Sequence, residues 1–203
     1  MIILAFDVFG TILDTSTVIQ EFRNKQLEYT WLLTIMGKYM EFEDITKIAL
    51  RYVLKLRNEE YKFDEELNKW RNLRAYEDAV YLREISQIST IYALSNGSVA
   101  EVKQHLERNN LLGYFKGIFS AENVKEYKPS PKVYKYFLNT IKAKEAFLVS
   151  SNPFDIIGAK NAGMKAIFVN RKKTIVDPLG YEPDAIVNNF KELYDWLRKY
   201  QSL

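Results

Sequence analysis

The chain has 203 residues, 47% of them hydrophobic and 14% aromatic, which is enough for one full core or a core plus a small insert. No apolar run reaches the roughly 18 residues of a membrane span, the first residues carry no basic leader or small-residue cleavage site, and the formal charge of +3 is mild, so a cytoplasmic protein with neither membrane nor nucleic-acid partners is expected. With no cysteine and a single histidine, His105, there is nothing from which to build disulfides, thiolate nucleophiles, histidine-rich metal centres or a Ser-His-Asp mechanism.

In chain order, Met1-Ile2-Ile3-Leu4-Ala5-Phe6 is short, continuous and rich in Ile and Leu, the pattern of a strand buried in a parallel sheet. Asp7 stands at its carboxyl end, the edge where open α/β sheets bind ligands, and Gly10 follows as a turn. The hydroxyls of Thr15-Ser16-Thr17 are expected to cap a long helix, in which Ile19, Phe22, Tyr29, Leu33, Met36 and Met40 recur at the spacing of one buried face. Further helices are expected at Phe42 to Leu56 and Phe63 to Leu73, joined by a polar stretch. Residues 15–74 therefore read as a helical insert capping the sheet's carboxyl edge, and residues 1–14 with 75–203 as the core domain.

From Asp78 onward helices and strands alternate. The spacing predicts helices at 78–86, 98–108, 131–141 and 153–162, strands at 90–94, 117–120, 146–149 and 166–169, and a final amphipathic helix at 190–200. This is an α/β pattern, a doubly wound parallel sheet with right-handed crossovers. His105, among charged neighbours, reads as a solvated helix position, and Arg171-Lys172-Lys173 as a solvated loop.

Polar residues gather after the strands. In Leu94-Ser95-Asn96-Gly97-Ser98, Gly97 permits a tight turn, Ser98 can cap a helix, and Ser95, Asn96 and free backbone N–H groups suit an anion. In Tyr127-Lys128-Pro129-Ser130-Pro131, the cap Ser130 and first-turn Pro131 have structural reasons, which leave Lys128 unexplained by the local sequence. Arg23 shares a helix face with Leu27 and Trp31, which sets a guanidinium among apolar groups.

The run Asp7-Val8-Phe9-Gly10-Thr11-Ile12-Leu13-Asp14 resembles the first motif of the haloacid dehalogenase (HAD) superfamily. Ser95, Lys128 and Ser150-Ser151-Asn152-Pro153-Phe154-Asp155 are similar to its other three motifs, in order, across the core. The resemblance implies a Rossmann-like HAD core, with Asp7 as a covalent nucleophile. Most members are phosphatases with a second aspartate two positions after the nucleophile and two acids in the fourth motif for magnesium. This chain has Phe9 and the single acid Asp155 there, and a phenyl ring can neither donate a proton nor ligate a metal.

Arg23 to Leu32, Leu94 to Ser98, Val133-Tyr134 after Tyr127-Lys128-Pro129, and Ser150-Ser151-Asn152 resemble instead the L-2-haloacid dehalogenases of that superfamily. That likeness implies hydrolysis of short (S)-2-haloalkanoic acids to (R)-2-hydroxy acids and halide through an ester on Asp7, with no metal or other cofactor, in a homodimer. It assigns catalytic positions to Asp7, Thr11, Arg23, Ser95, Lys128, Tyr134, Ser150, Asn152 and Asp155. Arg23, Asn96 and the ring edge of Phe154 are expected to cradle the halide, and Ser95 the substrate carboxylate. Phe9 and Leu27 line an apolar pocket, and Val8 joins the substrate contacts. The chain departs from the family's usual Tyr at Phe9 and usual Trp at Phe154. The rivals are a metal-dependent phosphohydrolase of the same fold, opposed by Phe9 and the single acid, and a decayed binding module, opposed by the joint presence of Asp7, Arg23, Ser95, Lys128, Asn152 and Asp155.

Overall fold

The computed structural model describes residues 1–202. Its centre is a wholly parallel sheet of β1 (Ile2–Phe6), β2 (Ser89–Ser95), β3 (Gly117–Ser120), β4 (Phe147–Ser150), β5 (Lys165–Val169) and β6 (Ala185–Val187). The strand order is β3-β2-β1-β4-β5-β6, the doubly wound α/β arrangement expected from the alternating pattern. β1 lies between β2 and β4, with Phe6 level with Ala93 and Val149. The chain crosses from one side of β1 to the other after β3. The carboxyl ends of β1, β2 and β4 therefore open onto one crevice, the place where such sheets bind ligands. Leu4, Ala5 and Phe6 are fully buried, and Phe6 packs edge-on against Phe115 and Phe190.

Helices α1 (Gln20–Ile35), α2 (Phe42–Leu56) and α3 (Phe63–Arg71) lie between β1 and β2. Entry and exit of this segment are joined by an antiparallel bridge between Leu13 and Ala75 and by backbone bonds from Asp14 N–H to Arg74 and from Tyr76 N–H to Ile12. It is tied to the rest of the chain by Tyr127, whose hydroxyl donates to the Met40 carbonyl (2.6 Å) and whose N–H donates to Thr34 Oγ1 (3.0 Å). The remaining helices are α4 (Leu82–Ile88), α5 (Val99–Arg108), α6 (Pro131–Ile141), α7 (Pro153–Asn161) and α8 (Phe190–Tyr200). Among the described residues no helix is long and apolar enough to cross a membrane.

Several expectations need correction. The hydroxyls of residues 15–17 do not cap α1: the helix begins at Gln20 with no side-chain cap, and the Ser16 N–H turns back onto Asp14 Oδ1 instead. The buried face of α1 carries Phe22, Arg23, Gln26 and Thr30, with Met36 60% exposed, because the helix packs a polar network rather than a greasy stripe inward. The expected helix at 78–86 starts as a 3-10 turn, Glu77–Tyr81, before α4. β6 is an unanticipated edge strand, whose three apolar residues are too short a run to announce a strand.

His105 is only 2% exposed, since with Val102 and Leu106 it forms the inward face of α5; the charges around it in sequence lie on other faces. Burial, helped by Arg108, lowers its pKa to about 4, so it is a neutral ring packed edge-on to Phe9.

Arg171 is likewise no solvated loop residue. Its Nε and Nη2 donate to the Thr11 carbonyl, its Nη1 pairs with Asp78 Oδ2 at 2.9 Å, and its guanidinium lies over the rings of Tyr76 and Phe190. Asp78 Oδ2 also accepts the Phe190 N–H, so one clamp joins the loop after β5, the start of α8 and the loop that carries Asp7. Replacing Arg171 by Met leaves a part-buried carboxylate and a backbone carbonyl without their donor, and is expected to cost about 2–3 kcal/mol in urea unfolding. The neighbouring exposed Lys172→Met should stay within about 0.5 kcal/mol of wild type, and equal effects from the two would show that the clamp contributes nothing.

Candidate active site

Asp7 begins the crevice directly after β1 and is 6% exposed. Val8 is fully buried, and its carbonyl accepts the N–H groups of Thr11, Ile12 and Leu13, which curls the chain back over Asp7. Gly10 makes that curl possible at φ +88°, in the left-handed region that a side chain disfavours. The curl brings Thr11 Oγ1 to 2.7 Å from Asp7 Oδ2, and the same hydroxyl accepts the Ser151 N–H at 2.8 Å. Asn152 Nδ2 donates to Asp7 Oδ2 at 2.7 Å and to the Phe9 carbonyl at 3.1 Å. Ser150, at the end of β4, accepts the Asn152 N–H and so sets that side chain's starting point.

Asp7 Oδ1 meets Lys128 Nζ at 3.2 Å, and the ammonium also binds Asp155 Oδ2 at 2.8 Å. Lys128 is 1% exposed. Burial opposes its charge, but Asp155 and Asp7 outweigh burial and hold its pKa above the ordinary lysine value. Burial, with the Asp7 charge added, raises the Asp155 carboxyl despite the pull of Lys128. Tyr134 completes the cluster, its hydroxyl donating to Asp155 Oδ1 at 2.6 Å. Burial and Asp155 raise the Tyr134 pKa well above the ordinary phenol value, which keeps it a donor. Gly158 makes room for this contact, because a Cβ there would lie 2.6 Å from both the Tyr134 hydroxyl and Pro129 Cβ. No sequence pattern flagged that requirement.

The other side of the crevice is aromatic and cationic. Phe9 stacks on Trp70 at 4.6 Å. Gly97 is small for the sake of that ring and not for backbone freedom, since a Cβ would sit 2.7 Å from Phe9 Cε2. Ser95 Oγ accepts the Gly97 N–H, and Asn96 Oδ1 accepts the Lys128 N–H, so the loop after β2 also positions the lysine. Arg23, 7% exposed, donates to Gln26 Oε1 at 2.6 Å, and Gln26 in turn donates to Thr46. Burial lowers the Arg23 pKa to about 10, against the pull of Asp7 and Glu101, so it remains a cation at neutral pH. Leu27 and Phe154 are half-buried, and the Phe154 ring packs edge-on to Trp31 beside an open apolar groove of about 480 Å³.

Asp7, Thr11, Lys128, Tyr134, Asn152 and Asp155 thus form one hydrogen-bonded cluster, with Ser150 behind Asn152. Arg23 belongs to a separate network and reaches Asp7 through its charge alone. Gln26, Trp70, Gly158 and Glu101 escaped the sequence reading. Lys128 bridges the two carboxylates, Phe9 offers no oxygen, and among the described residues no three His, Asp or Glu side chains are grouped to hold an ion.

A family model described as haloacid dehalogenase-like hydrolase matches residues 4–169. The chain is 32% identical to the (S)-2-haloacid dehalogenase H-109 of Pseudomonas putida across 96% of each chain. It is 31% identical to haloacetate dehalogenase H-2 of Moraxella sp. (strain B), across 91% of this chain and 92% of that one. In structure it is similar to the L-2-haloacid dehalogenase from Xanthobacter autotrophicus solved with chloropropionic acid covalently bound, with a TM-score of 0.87, 26% identity and 98% and 99% of the two chains covered.

The lysine bridge ties the stability of the fold to pH. In Lys128→Met, Asp7 and Asp155 face each other in a dry site without their cation, and one of them must hold a proton in the folded state at a pH where the unfolded chain has released it. Folding then binds protons, so the variant should gain stability as pH falls from about 8 to about 5. Denaturant unfolding of wild type and variant at both pH values checks this, and a variant whose stability falls in parallel with wild type on acidification would show that the bridge does not hold the two charges together.

Proposed function

The chain belongs to the haloacid dehalogenase-like hydrolase family, and we propose that it acts as an (S)-2-haloacid dehalogenase, releasing halide and an (R)-2-hydroxy acid from a short haloalkanoate. The observation that carries this reading is a nucleophile-ready carboxylate balanced by a buried lysine, with a phenyl ring where a phosphatase needs its second acid. Sequence relatives named as (S)-2-haloacid dehalogenases across nearly the full chain support it.

Asp7 Oδ2 already accepts two bonds at 2.7 Å, whereas Oδ1 has a single, longer one to Lys128, so Oδ1 is the oxygen with a lone pair to spend. It attacks the halogen-bearing carbon from the side opposite the halogen, the carbon–halogen bond breaks with its electron pair leaving on the halide, and an ester forms. Water then adds at the ester carbonyl, where Thr11 and Asn152 steady the charge growing on Oδ2. Collapse returns Asp7 and frees the hydroxy acid, with one proton released to solvent. Lys128, kept protonated by Asp7 and Asp155, stabilises charge throughout, while Tyr134 and Ser150 hold Asp155 and Asn152 in place.

Arg23, Asn96 and the Phe154 ring edge take the halide, Ser95 and nearby N–H groups take the substrate carboxylate, and Val8, Phe9 and Leu27 frame the alkyl group. Residues 15–74 act as a cap over residues 1–14 and 75–203, a division supported by the adjacent entry and exit at Leu13 and Ala75. The reaction needs no metal, and the protein works in the cytoplasm. A wholly apolar groove between Leu32, Leu33, Met36, Met40, Ile45 and Ile48 supports a homodimer through this face.

Halide release from (S)-2-chloropropanoate should proceed without added metal and survive chelator. Asp7→Asn and Arg23→Ala should each lower kcat/KM by about 10²–10³-fold or more with the fold intact by circular dichroism. Activity lost to chelator and restored by Mg²⁺, alongside cleavage of phosphate esters, would favour the phosphohydrolase alternative instead.

A further inference from the structure

Glu101 lies in the first turn of α5, which Ser98 caps by accepting the Glu101 N–H. Its Oε1 accepts the Trp70 indole N–H at 2.9 Å, while Oε2 is sealed from solvent and has no hydrogen-bond partner among the described residues. A Cβ built on Gly97 would lie 3.0 Å from that bare oxygen, which places it against the loop of Ser95 and Asn96. The Trp70 ring stacks on Phe9, and Arg23 Cζ lies 5.6 Å from the Trp70 ring centre. Among the described residues, an unsatisfied carboxyl oxygen is thus packed against the loop of Ser95 and Asn96, and Trp70 stands between it and Arg23, a cation that no carboxylate pairs with directly.

We propose that Glu101 sets how strongly this site takes up anions: as a neutral acid it leaves the Arg23 charge to the incoming anion, and as a carboxylate it competes for that charge. The identity of the anion, a 2-haloalkanoate and its departing halide, rests on the dehalogenase reading. Two anions, Asp7 and Asp155, and two cations, Lys128 and Arg23, balance in the site without Glu101; its ionisation tips the site negative and repels an anionic substrate. The groups that face it come from every element around it. Burial and Glu43 of α2 favour the neutral acid, while Trp70 and Arg71 of α3 and Arg23 of α1 favour the carboxylate, and the α5 N-terminus leans the same way. On its own helix His105 stays uncharged at neutral pH, and Arg108 stands beyond it. The balance brings the Glu101 pKa up to about 7, within the range where a cell's pH moves it.

The test is the affinity for bromide, measured by calorimetry at about pH 5.5 and about pH 8.5 in wild type, Glu101→Gln and Glu101→Met, with KM for (S)-2-chloropropanoate measured in parallel. Glutamine keeps an acceptor for Trp70 and removes only the charge, and methionine is a second neutral variant should the amide pack badly. Wild type should bind bromide about three- to tenfold more weakly at the higher pH, with KM rising alongside and kcat little affected, and both variants should be flat at the tighter value. Wild-type affinity that does not change with pH, no bromide uptake at all, or a pH dependence that persists in both variants overturns the inference. Absence of halide release beside pH-dependent bromide uptake removes the dehalogenase reading and leaves the role of Glu101 standing.

Discussion

The buried ammonium of Lys128 between Asp7 and Asp155 is the contact on which the site depends. Two carboxylates cannot both stay ionised in a dry crevice without a countercharge, and the Lys128 side chain supplies one. The neighbouring features serve that arrangement. Asn96 holds the Lys128 backbone, Tyr134 satisfies the remaining oxygen of Asp155, and Gly158 is bare so that Tyr134 can reach it. Strand order does the rest, since placing β1 between β2 and β4 brings their carboxyl ends to one edge.

The second half of the site comes from the helices between β1 and β2, and it is built differently. Arg23, Gln26 and Thr46 form a buried polar chain inside the insert, and Trp70 joins it to Phe9 and Glu101. The cation is thereby held within reach of the Asp7 charge, with no direct carboxylate partner among the described residues. A guanidinium kept in that state, in low-dielectric surroundings, is suited to an anion that arrives and leaves.

Much of this was legible in the sequence because strands that end in polar residues announce themselves. Asp7, Ser95 and Asn152 each follow an apolar run, the start of α6 follows from the cap Ser130 and the first-turn Pro131, and α8 follows from its amphipathic spacing. Where reading failed, the cause was non-local. His105 and Arg171 sit among charged sequence neighbours, yet one faces the core from α5 and the other is drawn between Tyr76 and Phe190. Charge in a window says little about which face of a helix a residue occupies. Glu101 and Trp70 meet only in three dimensions, and the reason for Gly97 is a ring contributed from another loop. Even β6 is a strand by pairing with β5 and not by its own three residues.

The covalent role of Asp7 is tested most directly by following oxygen through a single turnover. With enzyme in excess over (S)-2-chloropropanoate in water enriched in ¹⁸O, the account predicts an unlabelled hydroxyl in the product and label in the peptide that contains Asp7, because water attacks the ester carbonyl and the product oxygen comes from the carboxylate. Label in the product hydroxyl with Asp7 unlabelled would mean that water displaces the halide directly, and would contradict the assignment of Asp7 as nucleophile.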